Sequence, residues 1–218
     1  MFSKFKSLLC AAALCVSINP AVNAEVFFVE DQGNRFTVSF PDSWAVINNQ
    51  KPDDKLTVAG PGVNEYAECR IRVRQDRRFV IFPRKFDTNV QRISYSHEFW
   101  NAYLGEYNDV EINGFRDEAG LDSGFASMAE STYETAEGAI VRKKGIAFAT
   151  LIHDQLYAIE CSSEASVYKK WRPAFLSIIK SADFDDHRTA SPHGHYRGFL
   201  EDKKLEVKGP KELDSYTF

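Results

Sequence analysis

Alternation of apolar and polar side chains predicts that much of this chain forms β-strands. In residues 66–74, every second position is apolar and the positions between them are charged. Successive side chains of a strand point to opposite faces, so this segment has one apolar face and one charged face. The apolar positions are Ala67, Cys69, Ile71 and Val73, and the charged positions are Glu68, Arg70, Arg72 and Arg74. The pattern is typical of an antiparallel sheet with one buried face.

Further strands are predicted wherever short apolar or alternating runs are bounded by turn residues. Those segments are 25–31, 35–40, 44–47, 56–59, 109–112, 115–121, 124–133, 139–152 and 155–161. Asn113-Gly114 is a strong β-hairpin signal, so we expect the chain to reverse direction there. The dipeptides Glu137-Gly138 and His153-Asp154 are expected to form turns between the later strands.

A first helix is predicted over residues 94–104. Phe99 and Tyr103 are four positions apart and lie on the same face of such a helix. Gly105 is expected to end it, because glycine favours the backbone conformation found after a helix.

A second helix is predicted after Ser162 and Ser163, which we expect to act as N-terminal caps. Its apolar stripe consists of Val167, Trp171, Ala174, Phe175, Ile178, Ile179 and Ala182. Pro173 lies within this stripe. Because proline lacks a backbone N–H, we expect it to kink the helix or divide it.

The order of these elements indicates the α+β fold class, with a central antiparallel sheet flanked by helices in one domain, residues 25–184. The apolar periodicity ends after residue 184. We expect residues 185–218 to form a polar, disordered tail. His187, His193 and His195 fall in that tail, where we expect no ordered metal site because holding a metal ion would order a flexible chain.

The first 24 residues have the pattern of a secretory signal peptide. Lys4 and Lys6 precede an apolar run, Leu8 to Ile18, which at 11 residues is too short to span a bilayer. Small residues at Val22 and Ala24 suit a cleavage site. We expect a periplasmic or secreted protein with no stable membrane anchor after cleavage.

The charge balance argues against a nucleic-acid partner. The chain has 27 Lys and Arg against 31 Asp and Glu, and loss of Lys4 and Lys6 would leave 25 basic residues. A chain with net negative charge is, as a whole, poorly suited to nucleic acid or to anionic membranes.

Two cysteines, Cys69 and Cys161, remain after the predicted signal peptide. Cysteines in an oxidising compartment usually pair. Each shares its strand face with apolar neighbours, so a disulfide between them would lie inside the domain. Two separate buried thiols are the alternative. A catalytic thiol is disfavoured because the sequence has no Cys-x-x-Cys and both side chains are expected to point inward.

Arg70, Arg72 and Arg74 share the charged face of the strand at 66–74. They are candidate partner-binding residues, because a basic strip attracts an acidic protein surface. The alternative is a solvated face whose arginines pair with acids of neighbouring strands, such as Glu130 and Glu134. The acidic composition of the chain favours this alternative over the basic strip. If a helix covers that face, the arginines must instead be paired or lie at its margin.

Catalytic motifs are absent from the sequence. Residues 120–124 do not form a Gly-x-Ser-x-Gly elbow, and there is no phosphate-binding glycine loop or His-Glu-x-x-His motif. We therefore assign no catalytic residue, metal or cofactor. A small envelope hydrolase or ligand-binding enzyme that uses His97 or His153 is the alternative function.

Two motifs resemble those of the PsbP-like superfamily. The strand predicted at 35–40 is followed by Pro41 and Trp44 in a Pro-x-x-Trp pattern, and residues 175–184 follow Phe-x-x-Ile-x-x-Ser-x-x-Phe. The superfamily includes the extrinsic photosystem II protein, a Ran-binding nuclear import factor and bacterial DcrB-type envelope proteins. The resemblance covers residues 25–184.

The resemblance implies an α/β/α sandwich with an accessory role, in which the protein binds and stabilises other proteins without catalysis. It supplies no catalytic residue. The sequence thus predicts a non-catalytic exported accessory or binding protein that docks on another protein, whose identity the sequence does not give.

Overall fold

The computed structural model describes residues 26–49, 51–82, 86–122, 124–136 and 138–184. The predicted signal peptide, the predicted tail and the three histidines of that tail lie outside the described residues.

A seven-stranded antiparallel sheet forms the centre of the described domain. Its strands are β3 (Ala45–Ile47), β4 (Asp54–Ala59), β5 (Glu68–Gln75), β6 (Asn108–Leu121), β7 (Gly124–Glu134), β8 (Arg142–Ile152) and β9 (Gln155–Glu164). They are arranged in the order β3-β4-β5-β9-β8-β7-β6. A smaller antiparallel sheet has the order β1-β2-β10, with β1 (Val26–Asp31), β2 (Phe36–Pro41) and β10 (Asp183–Phe184). The predicted α+β fold is confirmed, and the separate small sheet is an addition to it.

Helices cover both faces of the central sheet. They are α1 (Arg78–Ile81), α2 (Asp87–Ser94), α3 (His97–Leu104) and α4 (Tyr168–Lys180), the last preceded by a 3₁₀ turn at Ala165–Val167. Helix α4 and the small sheet pack on one face, whereas α2 and α3 pack on the other. Among the helices described here, none has the length and apolar character needed to cross a membrane.

The two motifs behind the PsbP-like resemblance meet in the core beneath α4. The ring of Trp44 lies edge-on to Phe175, with ring centroids 6.2 Å apart, and edge-on to Trp171 at 5.6 Å. All three side chains are buried. Edge-to-face packing of large rings is favourable beyond the apolar area that it buries. These contacts therefore fix α4 against the segment between β2 and β3 that contains Trp44.

The hairpin predicted at Asn113-Gly114 is wrong, because β6 continues through it. Gly114 is buried and pairs with Glu130 of β7, and the register shifts between Ile112 and Gly114. An irregularity of this kind bends a strand without reversing it. The reversal comes later, where Leu121 pairs with Gly124.

The helix boundaries also differ from the predicted ones. The predicted helix 94–104 is divided at Tyr95 and Ser96 into the end of α2 and the start of α3. Ser162 and Ser163 are not caps, because β9 extends through them and both are buried in the sheet. Strand pairing to β5 and β8 outweighs their local preference for a helix start.

Pro173 does not divide α4, which runs unbroken from Tyr168 to Lys180. The missing N–H of Pro173 leaves the carbonyl of Lys169 without its helical partner. Both residues lie on the exposed side of the helix, where water can satisfy that carbonyl.

Candidate functional site

Cys69 and Cys161 form the predicted disulfide, which joins β5 to β9. The two residues are directly opposite in the antiparallel register, and the Sγ atoms are 2.06 Å apart. Both side chains are buried in the core on the α4 side of the sheet. A bond shielded in this way is structural, because thiol exchange requires access to a sulfur atom.

The three candidate arginines lie on the opposite face of β5, which the α3 layer covers. Their side chains are 6% exposed at Arg70, 1% at Arg72 and 50% at Arg74. The predicted solvated face is therefore wrong for Arg70 and Arg72, which are inside the protein. Only Arg74 of the three reaches solvent, and it binds Asp53 at 2.5 Å.

Arg70 and Arg72 belong to a buried network that we call the charge cluster. Its members come from five strands, from α3, and from the segments before β4 and after α3. They are Lys51, Asp54, Glu68, Arg70, Arg72, Tyr103, Glu106, Tyr107, Tyr133, Lys143 and Glu160. The acids that pair with the arginines are thus not Glu130 and Glu134, as the sequence suggested.

Glu160 is at the centre of the charge cluster and receives hydrogen bonds from three tyrosines. Tyr133 donates at 2.9 Å, and Tyr103 and Tyr107 each donate at 3.3 Å. Arg70, the cross-strand neighbour of Glu160, donates to the Tyr107 hydroxyl at 2.7 Å and holds its Nε 4.0 Å from the carboxylate. Every oxygen of this buried carboxylate is therefore engaged.

Arg72 links the sheet to the segment that follows α3. Its Nε donates to Asp54 at 2.9 Å, and its Nη2 donates to Glu106 at 2.8 Å. The guanidinium lies over the Tyr103 ring, 5.1 Å from the ring centre. Lys51 pairs with the same Glu106 carboxylate.

The formal charges of the charge cluster balance. Its four cationic and four anionic side chains pair with one another, as when Lys143 binds Glu68 at 2.7 Å. Isolated charges in a protein interior are strongly destabilising, whereas paired and hydrogen-bonded ones are tolerated. Each charged side chain of the cluster thus has an oppositely charged partner within this chain, although the buried Nη1 of Arg72 has no hydrogen-bond partner among the described residues.

Neighbouring charges control the pKa of each central group. Burial raises the pKa of Glu160, but the positive charges of Arg70 and Arg72 and the Tyr133 hydroxyl outweigh burial and hold it below its usual value. Burial and the Glu160 charge raise the pKa of Tyr107 and of Tyr133 far above the usual range. The glutamate is therefore ionised and the tyrosines are neutral at physiological pH.

We expect the stability of the domain to fall at both ends of the pH scale. The lowered pKa of Glu160, together with the lowered pKa of Glu106 and of Asp76, gives stability that is present above the unfolded carboxyl value, about 4. This stability is lost as pH falls through the pKa values that the three carboxyl groups have in the folded protein. The raised tyrosine pKa values give stability that is lost above about pH 10, where unfolded tyrosines ionise.

Urea unfolding between pH 2 and pH 11 checks this expectation, and the midpoint should form a plateau between about pH 5 and pH 9. A midpoint that rises on acidification below pH 4 would show that Glu160 is protonated in the folded protein.

The two histidines of the alternative function lie in separate parts of the described fold. His97 is exposed at the start of α3, and its Nδ1 lies 3.0 Å from the Asn101 amide nitrogen. His153 lies in the turn between β8 and β9, on a different element from His97.

An open cavity of about 590 Å³ lies beside His97, and Arg92, Ser96, Glu98 and Asp117 contribute to its walls. The carboxylate of Asp117 is bound by Arg92 at 3.2 Å. The cavity thus places a hydroxyl and carboxylates near an imidazole without a hydrogen-bonded relay between them. Within the described residues, no group of three His, Cys, Asp or Glu side chains is placed to hold a metal ion.

The solved structures that are similar to this chain include the following three. Cyanobacterial PsbP from Synechocystis sp. PCC 6803 is 12% identical, with a TM-score of 0.49, over 77% of this chain and 97% of its own. LpqN of Mycobacterium tuberculosis, described as involved in cell envelope biogenesis, is 11% identical, with a TM-score of 0.43, over 73% of this chain and 90% of its own. A Bacteroides thetaiotaomicron protein is 13% identical, with a TM-score of 0.42, over 73% of this chain and 48% of its own.

At these identities the similarity concerns the fold alone and says nothing about the role of this chain. No protein-family model matches the sequence, and no curated protein matches it.

Proposed function

We propose that this chain is a non-catalytic exported accessory protein whose folded domain docks on another protein. The observation that carries the proposal is the self-contained charge cluster. Glu160, Tyr107 and Tyr133, whose pKa values are shifted by burial and by neighbouring charges, face one another inside the sandwich, where they stabilise the scaffold. The signal-peptide pattern of residues 1–24 supports export to the periplasm or beyond.

The outer edge of β1 is the docking surface that the fold offers. In the described part of the chain, β1 pairs with β2 on one side and with no strand on the other. Three consecutive apolar side chains of β1 are exposed, Val26 at 62%, Phe27 at 54% and Phe28 at 65%. An exposed apolar edge strand is a template for pairing with a strand of another chain.

The neighbouring structure holds this edge in place. Phe27 stacks on Phe40 of β2, with ring centroids 6.0 Å apart, and Phe40 is itself buried in the core. A partner would therefore meet a strand that is already ordered, so little entropy is lost when it binds. We propose that the partner presents an extended segment with apolar side chains.

A capture experiment tests this surface. The chain without residues 1–24 is immobilised and exposed to an envelope extract of its source cells, and retained proteins are identified by mass spectrometry. We expect Phe28→Lys to reduce the amount of the retained partner at least about tenfold, because it places a charge in the strand-pairing surface. Ile140→Lys is the matched control, since Ile140 is also an exposed apolar residue but lies in the β7–β8 connection.

Circular dichroism of both variants shows whether they are folded. Equal capture by wild type and Phe28→Lys would exclude the β1 edge as the docking surface. Arg74→Glu in the same assay reports whether the one exposed arginine of the predicted basic strip also contributes.

A further inference from the structure

We propose that the open cavity beside α3 binds an organic cation, an ammonium or guanidinium group at the end of a short alkyl stem. The cavity has a volume of about 590 Å³, which is within the range of small-molecule sites. Its walls come from α2, from the junction between α2 and α3, from the start of α3 and from β6. This site is separate from the β1 edge.

A β-bulge in β6 forms one wall of the cavity. Two consecutive residues of β6, Asp117 and Glu118, lie opposite the single residue Ser127 of β7. A bulge of this kind redirects side chains. Here both carboxylates bind Arg92 of α2, Asp117 at 3.2 Å and Glu118 at 3.1 Å. Arg92 is thus held at the wall by two carboxylates, which keeps its side chain from folding across the cavity.

The walls carry an excess of negative charge. Arg92 and the two carboxylates that bind it have one positive charge against two negative ones. Glu98, which is exposed in the first turn of α3, adds a further negative charge and makes no ion pair or hydrogen bond with another described residue. The positive end of the α3 dipole, about half a charge, offsets only part of this excess. The cavity therefore attracts cations.

Acceptor groups that the fold does not use lie at the start of α3. Ser96 is at the N-cap position, but its side chain makes no capping hydrogen bond. The neighbouring His97 is held with its ring edge-on to Phe115, with ring centroids 5.7 Å apart, so this wall is ordered. The Ser96 hydroxyl and the Glu98 carboxylate both line the cavity, and both accept hydrogen bonds of the kind that ammonium and guanidinium groups donate.

Ile93 gives the cavity an apolar wall. Its side chain is 79% exposed and lines the cavity. Long cationic groups place their carbon stem along apolar surface and keep the charged end in polar surroundings. Ile93 beside the carboxylates matches such a ligand. An anion is disfavoured, because Arg92 is the one Lys or Arg among the described residues of the walls and two carboxylates already bind it.

An NMR titration tests the cation site. The chain without residues 1–24 is titrated with butylammonium, butylguanidinium, butanol and butyrate, which have similar short stems and differ in the head group. We expect both cations to shift the amide signals of Ser96, His97 and Asp117, with dissociation constants on the order of 1–10 mM that increase with salt. Butanol and butyrate should give no saturable shift of these signals.

Two variants with matched controls locate the binding groups. Glu98→Gln keeps the shape of the side chain and should raise the dissociation constant of both cations about two- to fivefold, the effect of one exposed ion pair. Glu111→Gln is its control, because Glu111 is an exposed carboxylate of β6 that does not line the cavity. Ile93→Ser should remove the preference for butylguanidinium over methylguanidinium, which depends on apolar contact with the stem. Ile140→Ser should keep that preference.

Free cations and the Lys or Arg side chains of another protein share this chemistry, and a peptide distinguishes the two sources. If acetyl-Gly-Arg-Gly-amide binds at least about tenfold more tightly than butylguanidinium, the source is a side chain of a protein. Equal binding of the two identifies a free small cation. Either result supports the cation site.

Three results would overturn the cation site. The first is no saturable shift with either cation, and the second is binding of butanol or butyrate as tightly as the cations. The third is an equal effect of Glu98→Gln and Glu111→Gln. Phe28→Lys should bind both cations like wild type, so failure of the β1 docking surface does not affect this test.

Discussion

Glu160→Gln is expected to lower the free energy of unfolding by about 3–5 kcal/mol, a large part of the stability of a typical domain. The substitution keeps the shape of the side chain and removes its charge. Arg70 is then left buried without its cross-strand counter-charge, and the three tyrosine hydroxyls lose an ionised acceptor. Hydrogen bonds to charged groups are stronger than those to neutral ones, which adds to the loss.

Urea unfolding at pH 7 measures the effect, with Glu134→Gln as the matched control on β7. Glu134 is partly exposed and lies 3.7 Å from Arg142, so its loss should change stability by less than about 1 kcal/mol. The loss of unfolding free energy at acid pH should also be smaller in Glu160→Gln than in wild type, whereas the Glu134→Gln control should keep it. Equal stability of the two variants would show that the charge cluster does not support the fold.

The double variant Cys69→Ala/Cys161→Ala is expected to lose about 4–5 kcal/mol of unfolding free energy, the second large effect. The disulfide closes a segment with a sequence separation of 92 residues, so its removal frees a large part of the unfolded chain. Alanine avoids placing a polar hydroxyl in the apolar core on the α4 side.

Denaturant unfolding of the oxidised protein and of the double variant measures this difference. A reductant added without denaturant should act slowly, because the bond is buried and must be exposed by opening of the sheet. Mass spectrometry of alkylated protein provides the independent check. Two free thiols in native exported material would contradict the disulfide and the register of β5 against β9.

The strand faces were predictable because they follow from local alternation. The period of two placed Cys69, Ile71 and Val73 on one face of the strand and the arginines on the other. The compartment suggested by residues 1–24 made pairing with Cys161 the favoured outcome. These arguments need only the residues of each strand and the chemistry of its surroundings.

The charge cluster was not predictable by such arguments, because it depends on which layer covers the sheet. The sequence does not show that α3 and Tyr107 lie over β5. One signal was present: Glu160 stands between Ile159 and Cys161 in a predicted apolar strand, where a lone acid requires a buried cation. The errors at Asn113-Gly114 and Ser162 have a related cause, since pairing with neighbouring strands outweighed local turn and cap preferences.

The structure therefore separates the residues that hold the domain together from those that present a surface. The buried cluster and the disulfide tie β5, β9 and α3 into one scaffold. The exposed apolar residues of β1 lie outside that network, and their substitution should change binding with little effect on stability.

The most direct test of this account measures partner capture and unfolding free energy for Phe28→Lys and Glu160→Gln together, at a temperature where both variants are folded. The account predicts that Phe28→Lys keeps its stability and loses the partner, whereas Glu160→Gln loses stability and keeps the partner. A folded Glu160→Gln protein of unchanged stability that no longer captures the partner would contradict it, because Glu160 would then act in function and not in the scaffold.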